Sequence, residues 1–561
     1  MATIGVKFLR AVPWYAWLAA YISLGLNLPV FWRRFLQLQD GLGALGSLGR
    51  VTVEALLVLA TSLLLMAALQ LGGRRLGQVL GSAFLVISVV ASYYMALFQV
   101  VIGFGVMQAV LTTDIDLSKE SVGLGMIGWV LVFALPVLWW VWRSEPIRVG
   151  AMMRLKRVLV TACTGGLLFY VSYATIDRVE YPVAEHPDSQ TVVIKPSVLV
   201  AHSYLPSNWL AGLSMSLAND FSHWRSQSTL ADPATLFSYH PTAPLDDVLL
   251  VIVIGESARS NNFGLLGYER QTTPLLSKKN NLVVLAGQSC NTSTKLSLQC
   301  MFVRPEAVYE HGLNRPVVSE RPVFSVLKKL GFSIELFAMQ SEVWFYNSVL
   351  AEYYKIREVI ASDPKNHSKP SHDGLLLDEV AASLKAQASG PRALVLHTKG
   401  SHFLYTSRYP REFAQFKPEC NGIDKGCSHA QLSNSYDNSI LYLDHFLDQL
   451  TNQLHGKKAL LIYTSDHGES IGENIHFHAT PKQLAPPEQL AVPLIIWASP
   501  QYLQHPVRAD LFKTLQAQQV STLGSAPPEA VGHHNLFDTL LGCLGVVSPD
   551  GGIKPTLDLC R

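Results

Sequence analysis

Five stretches of the chain are apolar almost without interruption, near 13–32, 51–71, 79–101, 122–142 and 158–176. Each is about 20 residues long, the length at which a helix crosses the hydrocarbon core of a bilayer. They predict a five-helix transmembrane bundle within residues 1–176. From about residue 245 the pattern changes. Short apolar runs at Val248–Ile254, Leu282–Ala286, Ile334–Ala338, Ala393–His397, Ala459–Thr464 and Val492–Trp497 alternate with longer, helix-compatible segments. That alternation predicts a mainly parallel sheet with helices on both faces, occupying 245–561. Residues 177–244 bridge the two parts. There Trp209, Leu213, Leu217, Phe221 and Trp224 recur at helical spacing. Such a helix can lie in the membrane interface or pack against the folded domain, and periodicity does not separate the two.

Composition agrees with a half-membrane protein. Of 561 residues, 49% are hydrophobic and 15% charged, against about 25% charged in ordinary globular chains. The first apolar run is placed like a signal peptide. It is rich in tryptophan and tyrosine, ends in Trp32-Arg33-Arg34 without a small-residue cleavage site, and reads as a retained helix. Lys7, Arg10, Arg74, Arg75 and the basic cluster from Arg143 to Arg157 fall on one side of the spans. Arg33, Arg34, Arg50 and Lys119 fall on the other. The larger set marks the cytoplasmic side, so the N-terminus is cytoplasmic and an odd number of spans places 177–561 outside. A net charge of +2 without a basic run excludes nucleic acid as a partner.

The cysteines add an independent argument. Cys163 lies in an apolar run and is expected to be a buried free thiol. The other six stand at short spacings that pair as Cys290 with Cys300, Cys420 with Cys427 and Cys543 with Cys560. Disulfides need an oxidising compartment such as a periplasm. Reduced cytosolic thiols are the alternative, and the predicted topology disfavours it.

In parallel sheets, ligands bind beyond the carboxyl ends of the strands. The residues there are Gly255-Glu256-Ser257-Ala258-Arg259, Thr398-Lys399-Gly400-Ser401-His402 and Ser465-Asp466-His467-Gly468-Glu469. Each alone is an ordinary strand exit. Together they bring carboxylates and imidazoles to one edge, a donor set suited to zinc. The segment Cys290-Asn-Thr-Ser-Thr294-Lys295 supplies hydroxyls nearby, and a Cys290–Cys300 bridge would hold them in place. In the loop 111–120, Asp114 and Asp116 could hold a lipid ammonium group or could form a plain polar loop.

These motifs, with Gly267-Tyr268, Thr273-Pro274, Tyr436-Asp437-Asn438 and the five-span half, resemble the lipopolysaccharide phosphoethanolamine transferases of the alkaline phosphatase/sulfatase superfamily. The resemblance covers essentially the whole chain. The segments 111–120, 201–209, Thr294–Leu298, Thr398–Phe403 and 548–553 are similar to the branch that modifies the Kdo sugar of Kdo-lipid A. It implies an α/β/α sandwich catalytic domain in the periplasm of an inner-membrane, multi-pass, monomeric enzyme. Phosphatidylethanolamine would be the donor, lipopolysaccharide the acceptor and diacylglycerol the leaving lipid. Carried over by motif, Thr294 is the nucleophile, and Glu256, Thr294, Asp466 and His467 hold zinc. His402 and His478 line the substrate site and could hold a second zinc. The run 472–481 leaves His476 as the alternative to His478. Where the lipid A phosphate branch has a cysteine-flanked lysine, this chain reads Met339-Gln-Ser-Glu-Val-Trp-Phe-Tyr346, and Lys295 is the candidate for that role. A cationic group on acidic Kdo would weaken binding of cationic peptides. The competing readings are transfer to a lipid A phosphate, a phosphoglycerol transferase of lipoteichoic-acid type, a sulfatase, and a non-catalytic lipid sensor.

Overall fold

The computed structural model describes residues 12–112, 122–143, 151–176, 195–226, 230–310, 316–366, 369–386, 389–422, 426–473, 475–522 and 531–561. It divides into two compact units, one spanning residues 1–107 and 122–218, the other 108–121 and 219–561. Asp114 and Asp116 lie outside the described residues.

The first unit is helical: α1 (Trp14–Ala20), α2 (Leu28–Leu69), α3 (Arg74–Leu97), α4 (Leu124–Phe133), α5 (Leu135–Arg143), α6 (Ala151–Ile176) and the greater part of α7 (Ser207–Ser226). Among the described residues, four helical stretches are long and apolar enough to cross a membrane: Leu28–Gly72, Arg74–Leu97, Leu124–Arg143 and Met152–Ile176. The apolar run 13–32 is not one helix. After α1 comes a π-helical turn, Tyr21–Gly25, and α2 restarts with Pro29 in its first turn, where a missing N–H costs nothing. Asn27 at the break exchanges hydrogen bonds with the backbone of Leu205, at 2.9 and 3.0 Å. Gly43, at φ 65°, breaks the ladder of α2.

Two expectations change here. Cys163 is free but exposed on α6, because a membrane helix turns apolar residues outward to lipid as well as inward. The 203–226 helix is interrupted at Tyr204-Leu205-Pro206. Trp209 at its start is buried within the helical unit, its indole N–H donating to Ser88 Oγ at 3.2 Å and its ring 4.8 Å from Phe84. A buried ion cluster also lies in this unit. Glu54 takes Arg50 Nε at 3.0 Å and the Tyr204 hydroxyl at 2.5 Å, with Arg34 at 3.5 Å.

The second unit is built on one seven-stranded sheet: β1 (Val248–Gly255), β2 (Leu282–Gln288), β3 (Ser333–Ala338), β4 (Tyr353–Lys355), β5 (Arg392–His397), β6 (Lys458–Ser465) and β7 (Ala491–Ala498). Its order is β2-β7-β6-β1-β5-β3-β4, and only β7 runs against the rest. The uninterrupted apolar composition of β1 follows from burial on both faces. Leu250, Ile252 and Ile254 enter one core cluster, and Leu249, Val251 and Val253 the other. Among the helices are α8 (Thr294–Cys300), α9 (Val343–Val349) and the 25-residue α10 (His429–Gln453). A capping box at Ser428 and Gln431 starts α10, satisfying end groups that its own ladder leaves open. Three disulfides join Cys290 to Cys300, Cys420 to Cys427 and Cys543 to Cys560.

Candidate active site

Five parallel strands deliver polar residues to one edge of the sheet. Glu256 follows β1, Gln340 follows β3 by one residue, His402 sits in the turn after β5, and Asp466 and His467 follow β6. Thr294 opens α8, beyond the end of β2. His478 comes from a hairpin in which Ser470–Ile471 pairs with His476–Phe477.

The approach is close. Gly400 has φ 52°, and a side chain there would collide with the Glu256 backbone. Tyr436 of α10 pins the loop that carries Glu256. Its hydroxyl donates to Ser257 O at 2.6 Å and accepts Arg259 N–H at 2.8 Å. Asp373 fixes the other loop, its carboxylate taking Lys399 N–H at 2.7 Å and Gly400 N–H at 2.9 Å. His533 ties the disulfide loop to β6, accepting Cys290 N–H at 3.1 Å and donating to Ser465 O at 2.9 Å.

Glu256, Asp466 and His467 are fully buried. Thr294 Oγ1 donates to Glu256 Oε2 at 3.0 Å and lies 3.4 Å from His467 Nε2. His467 Nε2 is 3.2 Å from Glu256 Oε1 and 3.4 Å from Asp466 Oδ2. His467 Nδ1 bonds the Gly468 carbonyl at 2.7 Å, which aims Nε2 at the cluster. Asp466 Oδ2 is buried and makes no hydrogen bond.

Two buried carboxylates at this spacing repel. Burial, then the charge of Glu256, pushes the Asp466 carboxyl well above its usual range. For Glu256 burial acts in the same upward direction, but the charge and hydrogen bond of His467 outweigh it and hold the carboxyl well below its ordinary value. Burial would lower His467, yet Asp466 and Glu256 push it up to about 10. A proton on His467 thus neutralises a site whose oxygen and nitrogen donors would otherwise accept a cation. The Asp466 oxygen that lacks a hydrogen bond and this donor set fit a divalent metal of zinc type.

His478, rather than His476, comes into the cluster. Its ring centre lies 4.2 Å from that of His467 and 5.5 Å from that of His402. Ligand atoms of Glu256, His402 and His478 lie within 4.8 Å of one another, as do those of Glu256, Asp466 and His467. His476 stacks on Phe477 instead, with ring centres 4.2 Å apart. His402 is half-buried, and loss of solvation pushes it down to about 4. Lys295, half-buried, follows Thr294 on α8, and adjacent residues of a helix face different ways.

Residue types at strand ends missed three members. Gln340 Nε2 donates to Glu256 Oε2 at 2.8 Å and to Thr398 O at 3.0 Å. His397, the last residue of β5, lies 3.3 Å from Gln340 Nε2 and 2.9 Å from the Tyr346 hydroxyl. Glu469 holds His478 Nδ1 at 2.7 Å and accepts the Tyr405 hydroxyl at 3.0 Å. Gln340 was within reach of the strand-end rule, but a neutral amide carries no metal signature.

The sulfatase family profile matches residues 249–546, and the phosphoethanolamine transferase EptA/EptB profile matches residues 57–183. The Kdo(2)-lipid A phosphoethanolamine 7''-transferase of Escherichia coli (strain K12) is 42% identical over 97% of this chain and 96% of that protein. The protein of the same name from Salmonella typhimurium is also 42% identical, over 97% of this chain and 96% of its own. Among solved structures, the integral membrane protein lipooligosaccharide phosphoethanolamine transferase A (EptA) from Neisseria meningitidis superposes with a TM-score of 0.78 at 25% identity, covering 97% of both chains. With relatives matched over nearly its full length and a sulfatase-type sheet carrying the site, this chain belongs to the phosphoethanolamine transferase family.

Proposed function

We propose that the chain transfers phosphoethanolamine from phosphatidylethanolamine to the Kdo sugar of Kdo-lipid A through an ester on Thr294. The observation that carries this reading is the Thr294 hydroxyl, 3.0 Å from Glu256 and 3.4 Å from His467, at the opening of α8. Glu256, Thr294, Asp466 and His467 are the proposed zinc ligands, with a second zinc proposed at His402 and His478. Bound zinc would supply Lewis acidity that lowers the pKa of the threonine hydroxyl.

Thr294 Oγ attacks phosphorus, its proton leaving toward Glu256. The bond from phosphorus to the diacylglycerol oxygen breaks, and that oxygen takes up the proton passed on from Glu256 as diacylglycerol departs. In the second step an acceptor hydroxyl attacks the phosphothreonine and Thr294 regains its proton. His402 and His478 stand where they can steady phosphate oxygens and pass protons. Glu469 keeps the His478 ring oriented.

The proposed organisation is a membrane domain at 1–176, bridging helices at 177–244 and a periplasmic catalytic domain at 245–561. Trp14–Gly25, continued by the start of α2, would be the fifth crossing, with a cytoplasmic N-terminus in the inner membrane. Asp114 and Asp116 stay candidates for the lipid ammonium, Lys295 for the missing lysine, and the enzyme is proposed to act as a monomer.

Intact mass of the full-length enzyme after incubation with phosphatidylethanolamine, followed by peptide mapping, tests the reaction. The expected result is phosphoethanolamine on the Thr294 peptide, absent in Thr294→Ala. No adduct on a zinc-loaded enzyme, or a phosphoglycerol adduct from phosphatidylglycerol, would overturn it.

A further inference from the structure

His478 reaches the site on a hairpin too short to hold itself. Its strands, Ser470–Ile471 and His476–Phe477, pair over two residues each. An isolated two-stranded hairpin is marginally stable at best in water, so its surroundings must set where the imidazole stands. Gln489 holds both strands, its Nε2 donating to Ser470 Oγ at 3.1 Å and to Phe477 O at 3.0 Å. The start and the turn of the hairpin are held by Arg259.

Arg259 lies three residues after Glu256. Its Nη1 donates to the Glu469 carbonyl at 3.1 Å and to Glu473 Oε1 at 2.7 Å. Glu473 Oε2 accepts the Ile471 N–H at 2.9 Å, so this carboxylate joins the guanidinium to the backbone of the hairpin. The guanidinium is itself fixed. Its Nε donates to Asn262 Oδ1 at 2.5 Å, and Asn262 Nδ2 donates to Asp437 Oδ1 at 2.6 Å. Arg259 is buried and Glu473 is partly exposed, so solvent screens the charge pair. The shape of the fork matters more than the charge. A planar guanidinium aims several donors in fixed directions, and a lysine ammonium on a flexible stem does not reproduce them.

The chain of contacts ends at the imidazole. Glu469, whose carbonyl Arg259 holds, takes His478 Nδ1 with its carboxylate at 2.7 Å. We infer that Arg259 and Glu473 are positioning residues that set where Glu469 holds the His478 ring. They thereby govern transfer of the phosphoethanolamine group and not the assembly of the Glu256, Asp466 and His467 centre. The inference rests on His478 meeting the phosphate in the proposed reaction.

The test uses full-length enzyme in nanodiscs of phosphatidylethanolamine. The Thr294 adduct is followed by intact mass, and zinc affinity by chelator competition. Glu473→Gln and Arg259→Lys should each slow adduct formation about tenfold, the lower end of what groups that orient a ligand residue contribute. Zinc affinity of the Glu256, Asp466 and His467 centre should stay within twofold of the wild type. On a His478→Ala background, which removes the ring being positioned, Glu473→Gln should slow the adduct no further. A general loosening of the site would lower zinc affinity in step with the rate, or would cost as much again on His478→Ala. Either result would overturn the inference, and so would wild-type rates in both variants. If His478→Ala forms no adduct, the rates of the single variants and their zinc affinity decide. Absence of the adduct in the wild type would overturn the transfer reaction itself. A normal wild-type adduct with unaffected variants would remove only the role given to Arg259 and Glu473.

Discussion

Gln340→Leu removes an amide that the charge pattern of the site does not advertise. The side chain keeps its approximate size but loses the bond from Nε2 to Glu256 Oε2 at 2.8 Å and the bond to Thr398 O at 3.0 Å. Glu256 Oε2 then retains only the Thr294 hydroxyl, at 3.0 Å. A hydrogen bond to a buried carboxylate is worth about 1.5–3 kcal/mol. Groups of this kind, which orient a ligand residue, typically change metal affinity by about 10- to 100-fold. The expectation is a loss of zinc affinity in that range, with a parallel fall in the rate of Thr294 adduct formation. Gln340→Asn, which keeps the amide one carbon shorter, should recover part of both. Zinc affinity is read by chelator competition on the full-length enzyme, and the adduct by intact mass. A leucine variant that binds zinc within twofold of the wild type and forms adduct at the same rate would refute the reasoning.

Further outcomes are expected from the same geometry. Burial pushes the Asp373 carboxyl from 3.8 to about 6, and backbone N–H groups only partly offset that rise. The folded state therefore binds the extra proton between those values, and stability should increase as pH falls from 7 to 4, by up to about 3 kcal/mol from this residue. Asp373→Asn should lack that share of the gain in melts at the two pH values, and an unchanged pH dependence would count against it. In the helical unit, Glu54→Leu removes a buried carboxylate that Arg50 and Arg34 both contact and should cost about 3–5 kcal/mol in thermal stability. The double variant with Arg50→Met should recover much of it, and a single variant that melts like wild type would sink this reading. Opening the Cys290–Cys300 bridge by Cys300→Ser releases a loop closed over a separation of 10 residues. The chain-entropy estimate is about 2.7 kcal/mol, measurable in urea, and no loss of stability would argue that the loop is ordered without it.

What the sequence determined on its own is local. Apolar runs of membrane length mark the helices of the first unit, and all six apolar runs after residue 245 are strands of the sheet. The residue types after β1, β5 and β6 announced a metal-compatible edge, because a strand end on a parallel sheet is a place before it is a contact. Other features carried no periodic signal. β4 is three residues long and largely exposed, so burial left no mark on its sequence. The reversed direction of β7 depends on the path of the connection, which hydrophobic period does not encode. The break between α1 and α2 follows from Pro29 and from Asn27 reaching a backbone 178 residues away.

Only the tertiary structure decided which polar groups meet. Thr294 and His467 come within 3.4 Å across 173 residues of chain, and His478 reaches its place while His476, two residues earlier, turns to stack on Phe477. Gln340 acquires meaning only because β3 lies two strands from β1, close enough for its amide to reach Glu256. The physical reason is the same throughout. Periodicity and residue type are set by what a segment must bury or expose, whereas hydrogen bonds among side chains depend on distances that long-range packing alone fixes.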